Sequence, residues 1–126
     1  MPLSLPAFQE AVRSGLQNYA NFAGRAGRPA FWYFVLLVFA ASIAANIVDG
    51  ILGTAGIVGL IVSLGLLVPN IAVAVRRLHD IDKSGWYVLA GVIPILGWIY
   101  LIYLYLQPGT TGANRFGEPA AVPATT

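Results

Sequence analysis

Three stretches decide the fold: FWYFVLLVFAASIAANIV at 31–48, ILGTAGIVGLIVSLGLLVPNIAVAV at 51–75 and WYVLAGVIPILGWIYLIYLYL at 86–106. None contains Asp, Glu, Lys, Arg or His, and every charge falls between or outside them. A hydrocarbon layer of about 30 Å is crossed by roughly 20 helical residues rising about 1.5 Å each, and the three runs match that length. Backbone groups in lipid must satisfy one another, which selects helix over open strand. Composition agrees, with 58% hydrophobic and 10% charged residues in a chain of 126. A soluble domain of this size has too little interior to hide so much apolar surface. The expected class is therefore all-α, a polytopic transmembrane protein with about three membrane helices and an N-terminal amphipathic interfacial helix.

The organisation follows in three parts. Residues 1–20 form the interfacial segment, residues 21–117 the membrane domain and residues 118–126 a flexible tail. Over Pro6–Tyr19, Phe8, Ala11, Val12, Leu16 and Tyr19 recur at helical spacing, while Gln9, Glu10, Arg13, Gln17 and Asn18 fill the other side. Such a helix lies on the membrane surface or packs on the protein's own loops. The first thirty residues lack the apolar core of a cleavable signal, so the first span is expected to serve as an uncleaved anchor.

Topology follows from Lys and Arg, which are retained in short cytoplasmic loops. Arg13, Arg25 and Arg28 precede the first span, the Asp49-Gly50 turn after it has no basic residue, and Arg76, Arg77 and Lys83 follow the second. This places the N-terminus in the cytoplasm of a bacterial inner membrane and leaves only Arg115 for the tail. Trp86 and Tyr105 are 19 positions apart. Along a helix that is about 28 Å, the spacing of two interfacial anchors, and it favours a full third crossing. Pro94 and Gly97 interrupt the run and keep a re-entrant hairpin as the alternative.

Seven Lys and Arg against five Asp and Glu give a net charge of +2, too slight to suggest nucleic acid as a partner. Cysteine is absent, which removes disulfides, thiolate metal sites and cysteine nucleophiles. Charge and chemistry concentrate in Arg76-Arg77-Leu78-His79-Asp80-Ile81-Asp82-Lys83-Ser84-Gly85-Trp86. Two further blocks stand out, Asn21-Phe22-Ala23-Gly24-Arg25 leading to Phe31-Trp32, and Gly109-Thr110-Thr111-Gly112-Ala113-Asn114-Arg115-Phe116-Gly117. In order and spacing the three blocks resemble the small bacterial inner-membrane family known as domain of unknown function 805, over nearly everything from Tyr19 to Pro119. This chain differs in detail, with Lys83 where members often have Arg, Tyr87 where a second Trp is common and Glu118 where Pro is usual. The resemblance implies a multi-spanning inner-membrane fold and brings no reaction, substrate or cofactor.

The candidate lipid- or partner-binding residues are Arg25, Arg28, Arg76, Arg77, His79, Asp80 and Trp86. Arg76 and Arg77 end the second span, where long basic stems snorkel to head groups. Convergence of Arg25, Arg28, Arg76 and Arg77 on one anionic head group or acidic partner is the sharper reading. Asp80 and Asp82 are expected to pair with Arg76, Arg77 or Lys83, fixing the loop. His79 beside Asp80 is the one catalytic or metal possibility, but with neither a second His nor a Cys it gives no conventional metal site, so no cofactor is expected. Ser84 is expected to cap the third helix with Trp86 at head-group depth.

Ala55, Gly59 and Ser63 recur every four residues in the second span, as Ala40/Ala44 and Ala41/Ala45 do in the first. That spacing suits close helix packing, within the chain or in a homo-oligomer. Pro69 is expected to kink its helix, with Asn70 bonding a neighbour or the carbonyl that the proline frees. Pro108–Gly117 is expected as an ordered turn against the head groups. The leading expectation is a non-enzymatic scaffold or accessory protein contacting anionic lipid or a membrane partner. A small oligomeric channel or transporter is the alternative, and an enzyme using His79 and Asp80 comes third.

Overall fold

A computed structural model describes residues 4–119. In chain order it contains α1 (Leu5–Gln17), α2 (Arg28–Leu52), α3 (Ile57–Asp80), a 3-10 helix (Gly85–Val92) and α4 (Leu96–Leu106). Among the described residues there is no strand. Among the described residues only α2 and α3 are long and apolar enough to cross a membrane, at 25 and 24 residues. At about 1.5 Å per residue each exceeds a hydrocarbon layer of about 30 Å.

Both long helices run past their expected ends. The chain does not turn at Asp49-Gly50; α2 continues to Leu52 and stops at Gly53, whose φ of 68° suits the left-handed cap that glycine adopts freely. Asp49 explains the extension. Its carboxylate accepts from the backbone N–H groups of Val58 and Gly59, both at 2.9 Å, and from the Thr54 hydroxyl. It thus caps the start of α3 from the preceding helix, filling donors that the first turn leaves open and placing negative charge at the positive end of the helix dipole. Gly59 allows the approach, since a Cβ there would stand 3.2 Å from Asn46 Oδ1. Ala55 belongs to the turn rather than to a helix face, with φ 55°, and Ser63 is exposed on α3.

The pair α2 and α3 is covered only at one end. Phe31, Phe34, Val73, Ala74, Leu78, Leu101, Leu104 and Tyr105 form a core around the start of α2 and the end of α3. Farther along, Leu36, Phe39, Ile43, Ile47 and Ile51 of α2 and Ile57, Leu60, Ile61, Leu64 and Leu67 of α3 are exposed. An uncovered apolar surface this large suits lipid, not water.

Ser4 starts α1 by accepting from Ala7 N at 3.2 Å. Ala7, Ala11 and Gly15 are the buried face of this helix. Phe8 meets Tyr33 edge-on at 6.0 Å, and a Cβ on Gly15 would overlap the Phe34 ring at 2.3 Å. The helix therefore packs on α2 rather than on loops, and small residues supply its contact. Leu5 and Leu16 are exposed beside the half-buried Phe8 and Val12. Beyond its end, the Tyr19 hydroxyl donates to Gly65 O. That carbonyl lies four residues before Pro69, which has no N–H to offer it. Tyr19, not Asn70, takes up the acceptor that the proline frees.

Residues 86–106 are not one helix. The 3-10 segment and α4 have eight and eleven residues. Each is about 16 Å long, about half a bilayer core. Between them Ile95 takes φ 67°, ψ −68°, and Leu96 N donates to Pro94 O at 2.7 Å, a γ-turn that a β-branched residue rarely tolerates. The two pieces fold on each other: Trp98 Nε1 donates to Gly91 O at 2.9 Å, and Gly97 lies against the Ala90 carbonyl. Both ends of this hairpin meet the end of α3, with Gly85 lying against the Val75 side chain and Arg77 donating to the Gln107 carbonyl. The two aromatic ends of the run differ in setting, with Trp86 exposed and Tyr105 buried against Phe31 at 4.4 Å.

Candidate functional site

The end of α3 gathers the three blocks. A helix C-terminus leaves carbonyls without partners and carries partial negative charge, so it draws donors and cations. Ala26 N donates to Arg76 O at 3.0 Å, Thr110 N to Asp80 O at 2.8 Å and Asn114 Nδ2 to His79 O at 2.9 Å. The Asn21–Arg25 and Gly109–Gly117 blocks thus close over the Arg76–Asp80 turn from opposite directions along the chain.

Asp80 is the centre. Its Oδ1 accepts from Arg25 Nε and its Oδ2 from Arg77 Nη1, both at 2.9 Å. Arg25 also donates from Nη1 to Gly112 O at 2.6 Å and Gly117 O at 3.2 Å, and from Nη2 to Thr110 O at 2.7 Å and Asp80 O at 3.3 Å. Those contacts occupy all five N–H groups of a guanidinium. Arg77, fully buried, donates from Nε to Tyr105 O at 3.1 Å and from Nη2 to Gln107 O. It binds the last carbonyls of α4 as well as Asp80, and so locks the returning hairpin to α3. A Cβ on Gly109 would stand 2.1 Å from Asp80 Oδ2, so glycine is what lets the tail lie over the carboxylate.

His79 is engaged elsewhere. Its Nδ1–H donates to Gly24 O at 2.8 Å and its ring stacks on Phe116 at 3.9 Å. His79 and Asp80 therefore face different neighbours and do not form the oriented pair that catalysis would use. Among the described residues no three His, Cys, Asp or Glu come together as a metal set.

The four arginines do not surround one cavity. Arg25 and Arg76 line one cavity with Asp80, whereas Arg77 is sealed in the core and Arg28 is exposed, reaching Leu106 O at 3.4 Å. Arg76 and Arg77 are both buried; Asp80 and the Tyr105 and Gln107 carbonyls satisfy Arg77, whereas Arg76 finds carbonyl partners on Nη1 alone. Arg76 Nη1 donates to Asn18 O at 3.0 Å and Asn21 O at 2.8 Å, tying the end of α1 to α3. Trp86 is 77% exposed and belongs to no part of this cluster. Ser84 accepts from Trp86 N at 3.3 Å, capping the 3-10 helix.

Asp82 pairs with Arg115 Nε at 3.2 Å rather than with Lys83, whose Nζ sits 5.9 Å from the Tyr87 ring. Partial desolvation pushes the Asp82 carboxyl up, but the hydrogen bonds and charge of Arg115 outweigh it and hold the group below the ordinary carboxylate value. The turn over Pro108–Gly117 consequently packs on the chain's own polar end. Glu118 and Pro119 continue it, and the rest of the tail expected to be flexible lies outside the described residues. The individual contacts of Asn114, Gly109 and Tyr19 are not marked in the sequence. The free carbonyl implied by Pro69 was the available signal for Tyr19, whereas nothing local marks the partners of Gly109 and Asn114.

The chain matches the family model described as "Protein of unknown function (DUF805)" over residues 19–118. The match begins after α1. Inner membrane protein YhaH of Escherichia coli (strain K12) is 42% identical over 107 residues, covering 81% of this chain and 88% of that protein. Inner membrane protein YhaI of the same strain is 37% identical over 106 residues, covering 83% and 90%. Uncharacterized protein YiiR of that strain is 31% identical over 129 residues, covering 78% and 84%. No solved structure matches.

Proposed function

This chain belongs to the DUF805 family, and from that premise we propose that it is a non-enzymatic scaffold or accessory protein of the bacterial inner membrane. Two helices, α2 and α3, cross the bilayer, and the 3-10/α4 hairpin enters and returns. The carrying observation is that the hairpin leaves α3 through the short 81–84 turn and its far end is bound back to the last turns of α3 by Arg77, which donates to the carbonyls of Tyr105 and Gln107. Every Lys and Arg then falls at one end: Arg13 on α1, Arg25, Arg28, Arg76, Arg77, Lys83 and Arg115. The other end, the turn from Gly53 to Gly56, has none. Retention of basic segments puts the charged end, both termini included, in the cytoplasm. There α1 lies in the interface with Leu5, Phe8, Val12 and Leu16 toward the acyl chains.

A non-catalytic role is supported by how the ionisable groups are used. Asp80, Arg25 and Arg77 bind one another and the backbone, and His79 is held by Gly24 and Phe116. Such groups build a rigid cytoplasmic cap beneath an apolar stem, and the exposed faces of α2 and α3 are available to a membrane partner.

Reconstitution with parallel partner capture tests this. Crosslinking in native membranes is expected to trap a stoichiometric partner, a second copy or another membrane protein, while proteoliposomes of the purified chain show no solute flux above empty vesicles. Saturable flux from the purified chain would instead establish the transporter reading.

A further inference from the structure

We infer that the cavity between α1, the 18–30 segment and α3 is a binding site for one phosphate-bearing anion, with Arg76 as its recognition residue. The cavity has a volume of 530 Å³, within the range of about 300–1,000 Å³ usual for small-molecule sites. Its walls include Ser14 and Asn18 of the α1 end, Ala23 and Gly24 of the connecting segment, and Val73 and Arg76 of α3.

The charge balance points to an anion. At this end of the molecule three guanidinium groups, Arg25, Arg76 and Arg77, are buried with a single buried carboxylate, Asp80. Arg25 and Arg77 share that carboxylate. Arg76 has none: among the described residues it makes no ion pair, and the masked residues at either end contain no Asp or Glu. Glu10, the other acid at the cavity, is on the exposed side of α1 and pairs with Arg13 at 3.8 Å. A guanidinium largely withdrawn from water but open along one edge to a cavity is well placed to take a counter-ion there.

The donor geometry says which kind. Arg76 is only 5% exposed, and its Nη1 is fixed by the Asn18 and Asn21 carbonyls. Its Nε and Nη2 donate to nothing among the described residues. Those two nitrogens form one edge of the guanidinium plane, the edge that grips two oxygens of a phosphate in parallel. A phosphate diester of a lipid and a soluble phosphate present the same oxygens. The position of Arg76 one turn inside the charged end of α3 is reachable by either. The inference deepens the membrane reading only in its lipid arm.

Native mass spectrometry of the full chain from nanodiscs of equal phosphatidylglycerol and phosphatidylcholine decides the lipid source, and melting in detergent with added inorganic phosphate decides the soluble one. The wild type is expected to retain one phosphatidylglycerol in preference to phosphatidylcholine, or to be stabilised by phosphate. Arg76→Gln should lower that retention or stabilisation by about tenfold or more, the loss of a charged two-point contact. Ser14→Phe fills the cavity and leaves the guanidinium in place; it should have the same effect, and it decides the question if Arg76→Gln does not fold. Arg28→Gln, an exposed arginine at the same end, should bind as wild type. Equal retention and equal phosphate response in wild type and Ser14→Phe would overturn the site. A wild type that neither prefers phosphatidylglycerol nor responds to phosphate, in proteoliposomes that show no flux, would overturn the site while leaving the scaffold reading intact.

Discussion

Replacing Asp80 by Asn is expected to destabilise the protein more than any other single change. The carboxylate sits between Arg25 and Arg77, whose side chains are 1% and 0% exposed. Removing one partner of a buried pair leaves the remaining charge uncompensated, at about 3–5 kcal/mol. Here two guanidiniums lose the same partner, and the hairpin and the tail are both tied to those guanidiniums. A melt of the detergent-solubilised protein, followed by size exclusion, should show a large drop in melting temperature and in folded yield. Removing one of the two cations as well, in Asp80→Asn/Arg25→Gln, should recover part of the loss, since the two residues share a network. Arg13→Gln supplies the scale: its partner Glu10 is 3.8 Å away and both side chains are at least half exposed, so about 0.5 kcal/mol or less is expected. A melting temperature for Asp80→Asn equal to that of Arg13→Gln would show that the cluster does not hold the fold.

The second large effect is expected from Gly97→Ala. On a helix, alanine is ordinarily better than glycine by roughly 0.5–1 kcal/mol. At this position its Cβ would stand 1.7 Å from Ala90 O and 2.8 Å from Ala90 C, both backbone atoms. Neither can swing aside as a side-chain tip could, so the 3-10 segment and α4 must separate. The overpacking penalty of about 1–3 kcal/mol or more outweighs the propensity gain and reverses its sign. Gly91→Ala is the control within the same hairpin, because its nearest contact is Leu101 Cδ1 at 3.5 Å, an ordinary van der Waals distance. Thermal melts should rank Gly97→Ala far below the wild type and Gly91→Ala beside it. The reverse order would mean that the two pieces are not packed as described.

Residue type alone was enough to find α2 and α3, since the exclusion of charge from 31–48 and 51–75 is a matter of composition. Their ends were not readable, because what extends α2 through Asp49 and Gly50 is a carboxylate bonded to the next helix, nine and ten residues on. The break in the third run is hidden from the sequence for a related reason. Length and aromatic spacing describe a helix that stays straight, but the γ-turn at Ile95 and the contact of Gly97 with Ala90 depend on a partner segment. Pro94 and Gly97 marked the break without deciding what followed it.

At the charged end, the blocks around Arg25, Arg76 to Trp86 and Gly109 to Gly117 were visible as blocks, and their convergence was not. Basic residues next to a span look like snorkelling side chains until an internal acceptor appears. Arg77 finds Asp80 and the end of α4, and Arg25 finds four carbonyl oxygens from residues 55 or more positions away. The expected pairing of Asp80 with Arg77 is present; that of Asp82 with Arg76 or Lys83 is replaced by Arg115, which only the folded tail brings near. Tyr19 at Gly65 is the case in which a sequence argument came close, since the proline announced a free carbonyl and left its donor unnamed.

The account rests on the third apolar run returning to the side it started from. A fluorescent protein that matures only in the cytoplasm, fused after Thr126, tests this with alkaline phosphatase fused at the same point as its complement. Fluorescence with a silent phosphatase is the predicted result. A dark fluorescent protein with an active phosphatase would mean that residues 86–106 cross the membrane, and the hairpin would have to be given up.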